Sequence, residues 1–328
     1  MYDIFDMQAG DYRGVVDTTG FDAGRLERER ADEHYAVMDA NDRVLARCSI
    51  WWRDAPVVGQ GTAGAIGHYA ALDAEAAGLL LDFACRQLKQ RRCSLALGPL
   101  DGSTWRRYRF VTERGHAKPF FMEPDNPDEW PAHFAGAGFG SYARYVSELN
   151  DNFPIRQPEI GDLPQRFARA GVTIEQLDLS GPATDLSDIH AVACAAFTGS
   201  PLFTPIDFDE FAAIYAPLLT SVDPRLMLIA RHEGRIVGFV FAPPDYLQSL
   251  DPAAIDTIVI KTVAVLPDAC YRGLGRMLIV DMLRNAESMG YRQAISALMY
   301  CENRSQQISR DCARPMREYR LFARELAA

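Results

Sequence analysis

The sequence predicts an α/β (α+β) chain built from two tandem copies of one fold, and three internal matches predict it. A hairpin pattern occurs twice. YAVMDANDRVLARCSIWW reads as strand, turn at Asn41-Asp42, strand, and LMLIARHEGRIVGFVFAP repeats it with the turn at Glu233-Gly234. An amphipathic helix then follows in each half. Ala77, Leu81, Ala84 and Leu88 mark one apolar stripe, and Leu274, Leu278, Met282 and Ala286 mark the other, with Gly290 as a helix stop. Each helix leads into an apolar strand, SLALGPL or AISALMY. At the ends, Tyr142, Tyr145, Glu148 and Leu149 have the spacing of Tyr319, Phe322, Glu325 and Leu326. Such self-similarity over about 150 residues is the mark of a duplication. Residues 151–164, DNFPIRQPEIGDLP, are rich in proline and acid and lack apolar periodicity, so they read as a linker between residues 1–150 and 165–328.

Composition narrows the function. The 328 residues are 48% hydrophobic and 24% charged, as in ordinary globular domains, and the length suits two domains with a core each. No run approaches the roughly 18 apolar residues of a membrane span, so no membrane partner is expected. The opening MYDIFDMQAGDYRG is acidic and lacks the basic-then-apolar order of a secretory signal. Seven cysteines without a CxxC pair and six histidines without an HxxxH pair predict reduced thiols, no protein-held metal and a cytoplasmic location. The net charge of −10 argues against a nucleic-acid partner and suits a cationic small substrate such as an amine. Nothing in the sequence fixes the oligomeric state.

The informative segment is TIVIKTVAVLPDACYRGLGRMLIVDMLRNAESM, from Thr257 to Met289. An apolar strand ends at Val265, a short loop carries Gly273 and Gly275, and a helix follows directly. Free backbone N–H groups and the positive end of the helix dipole then converge on one point, which suits a pyrophosphate. A P-loop would need Lys-Ser or Lys-Thr after the second glycine, where Arg276-Met277 stands. A Rossmann turn would need a small residue at Leu278.

The pattern V-x-P-x-x-[QR]-x-x-G-x-[GA] is met by Val265, Pro267, Gly273 and Gly275, and here the chain resembles the Gcn5-related N-acetyltransferases (GNAT). Cys270 departs from the pattern, occupying the Gln or Arg position. The resemblance implies two GNAT-like domains, each with a mixed, mostly antiparallel sheet flanked by helices. It implies acetyl-CoA as cosubstrate, held by the main chain of Val263, Ala264 and Val265 and by the loop of Cys270, Tyr271, Arg272, Gly273, Leu274, Gly275 and Arg276. Asn303 and Ser305 match positions that face the pantetheine arm, and an N-cap role for either is an equal alternative. The strand before the loop is expected to splay from its neighbour, so that its free edge pairs with pantetheine and polarises the thioester carbonyl.

The implied reaction is direct attack by the amine of a small molecule or peptide. A non-catalytic acyl-CoA-binding module is the rival reading, kept open by Cys270 and by the absence of tyrosine from SQQISRDCA. Asp256 and Glu302 are the candidate bases, against a plain solvated strand end. Tyr300, with Cys312 and Tyr319 behind it, is the candidate acid. Asp245, Tyr246 and Gln248, in the loop after the third strand of the second half, are the candidate acceptor wall, as is Thr204 to Asp207. In the first half, Asp73 to Gly78 sets acids where the second half sets arginines, so that half is expected to bind no CoA. Its TWRRYR segment either closes over a ligand between the halves or is a solvated loop. Lys261, a lone cation in an apolar strand, has no assigned role.

Overall fold

The computed structural model describes residues 2–58, 61–152, 154–178, 184–219, 222–302 and 312–326. Both hairpins form where the apolar alternation places them. Strands Glu33–Met38 and Val44–Trp51 pair antiparallel, and so do Met227–His232 and Arg235–Phe241. Their turns use left-handed backbone, at Asp42 (φ 56°) and at Glu233 and Gly234 (φ 51° and 77°), the conformation that tight hairpin turns demand. The two stripes become helices Ala74–Gln90 and Leu274–Ser288. Leu274, Leu278, Met282 and Ala286 are each fully buried against the sheet of the second half.

The terminal strands are exchanged. Read across the long sheet, the first half supplies Asp3–Asp6, Glu33–Met38, Val44–Trp51, Gly61–Ala71 and Leu95–Gly98. Next comes Arg314–Glu325 from the end of the chain, then Gly140–Asn150, then Gln293–Tyr300 and Thr257–Ile260. Each half thus completes its sheet with the other half's last strand. The two strands read as equivalents in the sequence are the ones that lie side by side: Tyr319 pairs with Tyr145, and Phe322 with Ser141 beyond a bulge. A pseudo-twofold relation places equivalent strands antiparallel in this way, and the bulge shifts its register by one residue.

A buried polar group locks this junction. Arg317 Nη1 donates to Glu123 Oε2 at 2.6 Å, and neither side chain reaches solvent. The rest of its guanidinium donates to the carbonyls of Arg114, Ala117 and Lys118. Tyr319 donates to the other oxygen of Glu123 and lies 3.0 Å from the Ser147 hydroxyl. A buried ion pair of this kind contributes little net stability, yet removing one member strands the other. Arg317→Met is therefore expected to lower the unfolding free energy by roughly 3–5 kcal/mol, measured in denaturant. The double variant Glu123→Leu with Arg317→Met is expected to recover most of it. A loss below about 1 kcal/mol in the single variant would show that the junction does not rest on this group.

Candidate active site

The strand that approaches the glycine loop changes partners midway. Thr257–Ile260 runs parallel to Gln293–Tyr300, from Thr257 opposite Gln293 to Ile260 opposite Ser296. Beyond Lys261, Thr262–Val265 leaves that neighbour and pairs with Gly238–Phe241 instead, as the edge of a separate four-stranded sheet. The result is a fork with Lys261 at its apex. One arm is Thr262–Val265, whose outer edge pairs with no strand among the described residues, and the other is the far end of Gln293–Tyr300. Val263, Ala264 and Val265 thus stand on an arm whose outer main-chain groups are open to a ligand that pairs like a strand.

At the end of that arm the chain makes a short 3-10 turn, Ala269–Tyr271, capped by Asp268, whose carboxylate accepts from the Cys270 N–H at 2.9 Å. Cys270 is exposed. Its thiol is held above the usual range by desolvation and by the Asp268 carboxylate, so it makes a poor nucleophile. Tyr271 is tied by its hydroxyl to His232 at 2.8 Å, which fixes the turn to the hairpin. The helix starts at Leu274 with Gly273 as N-cap and no side-chain cap, so its first N–H groups stay free for an anion.

Two reasons for the glycines are structural. Gly273 has φ 92°, and a Cβ there would lie 2.9 Å from Leu163; a Cβ on Gly275 would lie 3.3 Å from Val263. Arg272 and Arg276 flank the helix start, and a third guanidinium, Arg166 from helix Leu163–Arg169, reaches the carbonyl of Arg272. Among the described residues none of the three is in an ion pair, so their charge is available to a phosphate. Sequence reading missed Arg166 because it lies about a hundred residues from the loop, in an ordinary amphipathic helix. Asn303 and Ser305 lie outside the described residues.

The fork also sorts the remaining candidates. Asp256 stands at the closed end, roughly 16 Å along the strand from Lys261 at about 3.3 Å per residue. It is clamped by Gln248, whose Nε2 donates to it at 2.6 Å and whose Oε1 accepts from its N–H at 3.0 Å. Asp245 is buried, accepts from the Phe121 N–H at 2.8 Å, and has its carboxyl raised by that burial. Tyr246 packs edge-on against Phe121, with ring centres 5.1 Å apart. Asp245, Tyr246 and Gln248 therefore fasten their loop to the first half and to the strand start, where acceptor contacts were expected. Cys312 and Tyr319 are buried, and the Tyr319 proton is committed to Glu123.

Tyr300 and Glu302 lie on and just beyond the diverging arm, with the Tyr300 hydroxyl donating to Glu302 at 3.0 Å. Burial and the Glu302 carboxylate raise the Tyr300 phenol, which keeps its proton at neutral pH. The ammonium of Lys261, at the apex, donates to the Met122 carbonyl at 3.3 Å. Desolvation first, then the nearby Arg109 charge, bring its ammonium down to about 7. Arg109 stacks on Tyr145 at 4.2 Å, and Tyr145 lies against Tyr300 at 5.4 Å, so Lys261 and Tyr300 share one neighbourhood.

The TWRRYR segment is not a solvated loop, since only Arg107 of it is exposed. Trp105 donates to the Thr204 carbonyl at 2.8 Å and packs among Phe197, Phe203 and Phe211. Arg106 pairs with Glu210 at 2.5 Å, and Arg109 reaches the Leu298 carbonyl at 3.2 Å. Trp105 also closes a small apolar cavity of about 50 Å³ that Thr262 lines beside helices Thr184–Phe197 and Phe208–Leu219.

In the first half the matching helix start is built differently. Only Leu72 and Asp73 separate strand Gly61–Ala71 from helix Ala74–Gln90. The Asp73 carboxylate accepts from the Ala76 N–H at 2.8 Å and so takes the place of an external anion.

Residues 188–314 match the family model described as Acetyltransferase (GNAT) family. No curated protein sequence matches the chain. Among solved structures, the chain is similar over 99% of its length to the GCN5-related glucosamine N-acetyltransferase region of a fungal multi-domain beta-N-acetylglucosaminidase. It spans 38% of that protein, with a TM-score of 0.54 at 14% identity. It is similar end to end to a GCN5-related N-acetyltransferase from Sphaerobacter thermophilus, covering 100% of this chain and 96% of the other, with a TM-score of 0.52 at 13% identity. A tandem GNAT protein from the clavulanic acid biosynthesis pathway is matched over 100% of this chain and 99% of its own, with a TM-score of 0.52 at 10% identity. At these identities the likeness establishes the fold, a tandem one included.

Gly273→Ala forces a side chain into left-handed backbone and against Leu163. It is expected to cost roughly 1–3 kcal/mol, read as a fall in Tm by calorimetry. An unchanged Tm would mean that the turn relaxes without strain.

Proposed function

We propose that this chain, whose residues 188–314 match the acetyltransferase (GNAT) family model, moves an acetyl group from acetyl-CoA to an amine of a small molecule or peptide. The observation that carries the reading is the fork at Lys261, which opens onto a helix start with no side-chain cap and with three arginines near it that make no ion pair among the described residues. The main chain of Val263, Ala264 and Val265 would hold the pantetheine. The loop from Cys270 to Leu274, with Gly275, Arg272, Arg276 and Arg166, would hold the pyrophosphate, and Asn303 and Ser305 are proposed beside the same arm. When bound, acetyl-CoA supplies the thioester that the amine attacks. Close to 50 Å³, the apolar cavity beside Thr262 has room for a short acyl tail and little more.

The chain's own residues then manage charge and protons. A main-chain N–H on the open arm donates to the developing oxyanion. Lys261 is the proposed base, in place of Asp256: above pH 7 it is largely a free amine and takes a proton from the acceptor's ammonium. Tyr300, with its raised phenol, is the proposed donor to the leaving sulfur, and Glu302 orients its hydroxyl. The first half is proposed to bind no CoA, since Asp73 fills its helix start.

Turnover is tested by following CoA release from acetyl-CoA across a panel of amines, with calorimetry on the same protein. One acetyl-CoA per chain is expected, and Arg276→Glu should weaken it by about tenfold or more, as befits a lost charge-assisted contact. Tight binding with no CoA release for any amine would overturn transfer and leave an acyl-CoA-binding module. The rate is expected to rise with pH through about 7 as Lys261 loses its proton. Lys261→Met should remove that rise and lower kcat by roughly 10²–10⁴, with KM for acetyl-CoA little changed. An identical pH profile in the variant would exclude Lys261 as the base.

A further inference from the structure

Strand Gly61–Ala71 pairs parallel with Leu95–Gly98 through Ala63, Gly64 and Ala65, and the two chains stay together beyond it, with the Leu100 N–H on the Ile66 carbonyl at 2.8 Å and the His68 N–H on the Asp101 carboxylate at 2.6 Å. A cavity of about 280 Å³ lies beside this contact, lined by His68 and Tyr69 from one strand and by Pro99 and Asp101 just beyond the other. That volume is close to the roughly 300 Å³ at which small-molecule sites begin. Buried His68, Asp101 and Arg109 form the floor, and exposed Asp22 and Arg107 form the mouth. Tyr69, Tyr108, Phe110 and Trp130 supply aromatic walls.

The charges around this cavity are unevenly paired. Arg47 lies 3.5 Å from Asp17, while Asp22 is held by Arg28, Asp101 by Arg25 and Asp125 by Arg114, each at 2.7 Å. Among the described residues, Arg107 and Arg109 are left without a carboxylate. Arg107 donates to the Asp125 carbonyl at 3.1 Å. Arg109 is 7% exposed, is stacked on Tyr108 at 3.9 Å, and has its Nε buried with no hydrogen-bond partner. Its Nη1 donates to the Leu298 carbonyl at 3.2 Å, so Nη2 is the end left for an acceptor that a ligand would supply. A metal ion does not fit. The ligand atoms of Glu29, His68 and Asp101 do lie within 4.8 Å of one another, but Arg25 already bonds to both carboxylates, at 2.6 and 2.7 Å.

We propose that this cavity binds a small, flat, aromatic molecule carrying one planar or tetrahedral oxyanion, a carboxylate or a phosphate, received by Arg109 and Arg107. The guanidinium fork matches either anion, and the aromatic walls take the ring. The helix start of the first half is filled by Asp73, so this ligand has no pyrophosphate arm. The inference does not depend on acetyl transfer.

The test uses the full chain, with benzoate and phenyl phosphate as probes and uncharged benzamide as the control, titrated by protein-observed NMR. At least one anion is expected to bind saturably, and benzamide about tenfold more weakly or worse, the difference a charge-assisted contact makes. If benzoate binds and phenyl phosphate does not, the natural ligand is a carboxylate; the reverse makes it a phosphate. Arg109→Gln is expected to abolish anion binding, and Arg107→Gln to weaken it about tenfold while its acetyl-CoA affinity stays the same. Arg107 is exposed, so its variant decides the matter if the Arg109 variant does not fold. No saturable binding of either anion, benzamide binding as tightly as benzoate, or full anion affinity in Arg107→Gln would each overturn the proposal.

Discussion

The structure depends on the antiparallel contact between Gly140–Asn150 and Arg314–Glu325. Each of these strands closes the other half's sheet, so neither half has a complete sheet from its own sequence alone. An exposed sheet edge is a row of unpaired N–H and C=O groups, and exchange turns two such edges into one continuous ladder. The Glu123, Arg317 and Tyr319 group sits on this ladder. It replaces solvent for a carboxylate and a guanidinium that no water reaches, and that fixes the register of the exchange. Trp105 and Arg106 then fasten the first half to the helices of the second. The two halves are held at a defined distance by packing and charge together.

That fixed relation is what gives the fork its chemistry. The strand from Thr257 to Val265 changes partner at Lys261, and a change of partner leaves one stretch of main chain unpaired on one side. In a closed sheet such an edge is a defect; beside a free helix start it is a place for a ligand that pairs as a strand does. Lys261 stands at the apex because the first half covers it: the Met122 carbonyl is its acceptor, and Arg109 is the neighbouring charge that makes its ammonium less stable. A lysine on an ordinary strand would stay protonated far above neutral pH. The desolvated position, built by two halves, is what brings it into a useful range.

The two helix starts show how one fold is put to different uses by a few residues. Gly273 leaves the first N–H groups of its helix without a cap, and Arg166, Arg272 and Arg276 stand near them. Asp73, two residues after its strand, turns its own carboxylate onto the equivalent groups. The dipole is the same in both, and the occupant differs. The first half instead lines a cavity with paired carboxylates and with two guanidiniums that have no carboxylate partner among the described residues.

The sequence alone determined the duplication, the two hairpins, both buried helix stripes and the glycine loop, because each is written in short-range periodicity and turn chemistry. The spacing shared by Tyr142 to Leu149 and Tyr319 to Leu326 even marked the two strands that meet. It did not reveal that they trade places, since either partner satisfies the same alternation of side chains. Asp256, Asp245, Tyr246 and Gln248 were polar residues near the right strand and so looked chemical; the fold shows them binding one another and Phe121. Arg166 beside the loop and the burial of Lys261 were out of reach of the sequence, for both follow from contacts between segments more than a hundred residues apart in the chain. Local pattern fixes which elements form. Only the tertiary structure decides which charges are left unpaired, because burial and proximity belong to the packed chain and not to any segment of it.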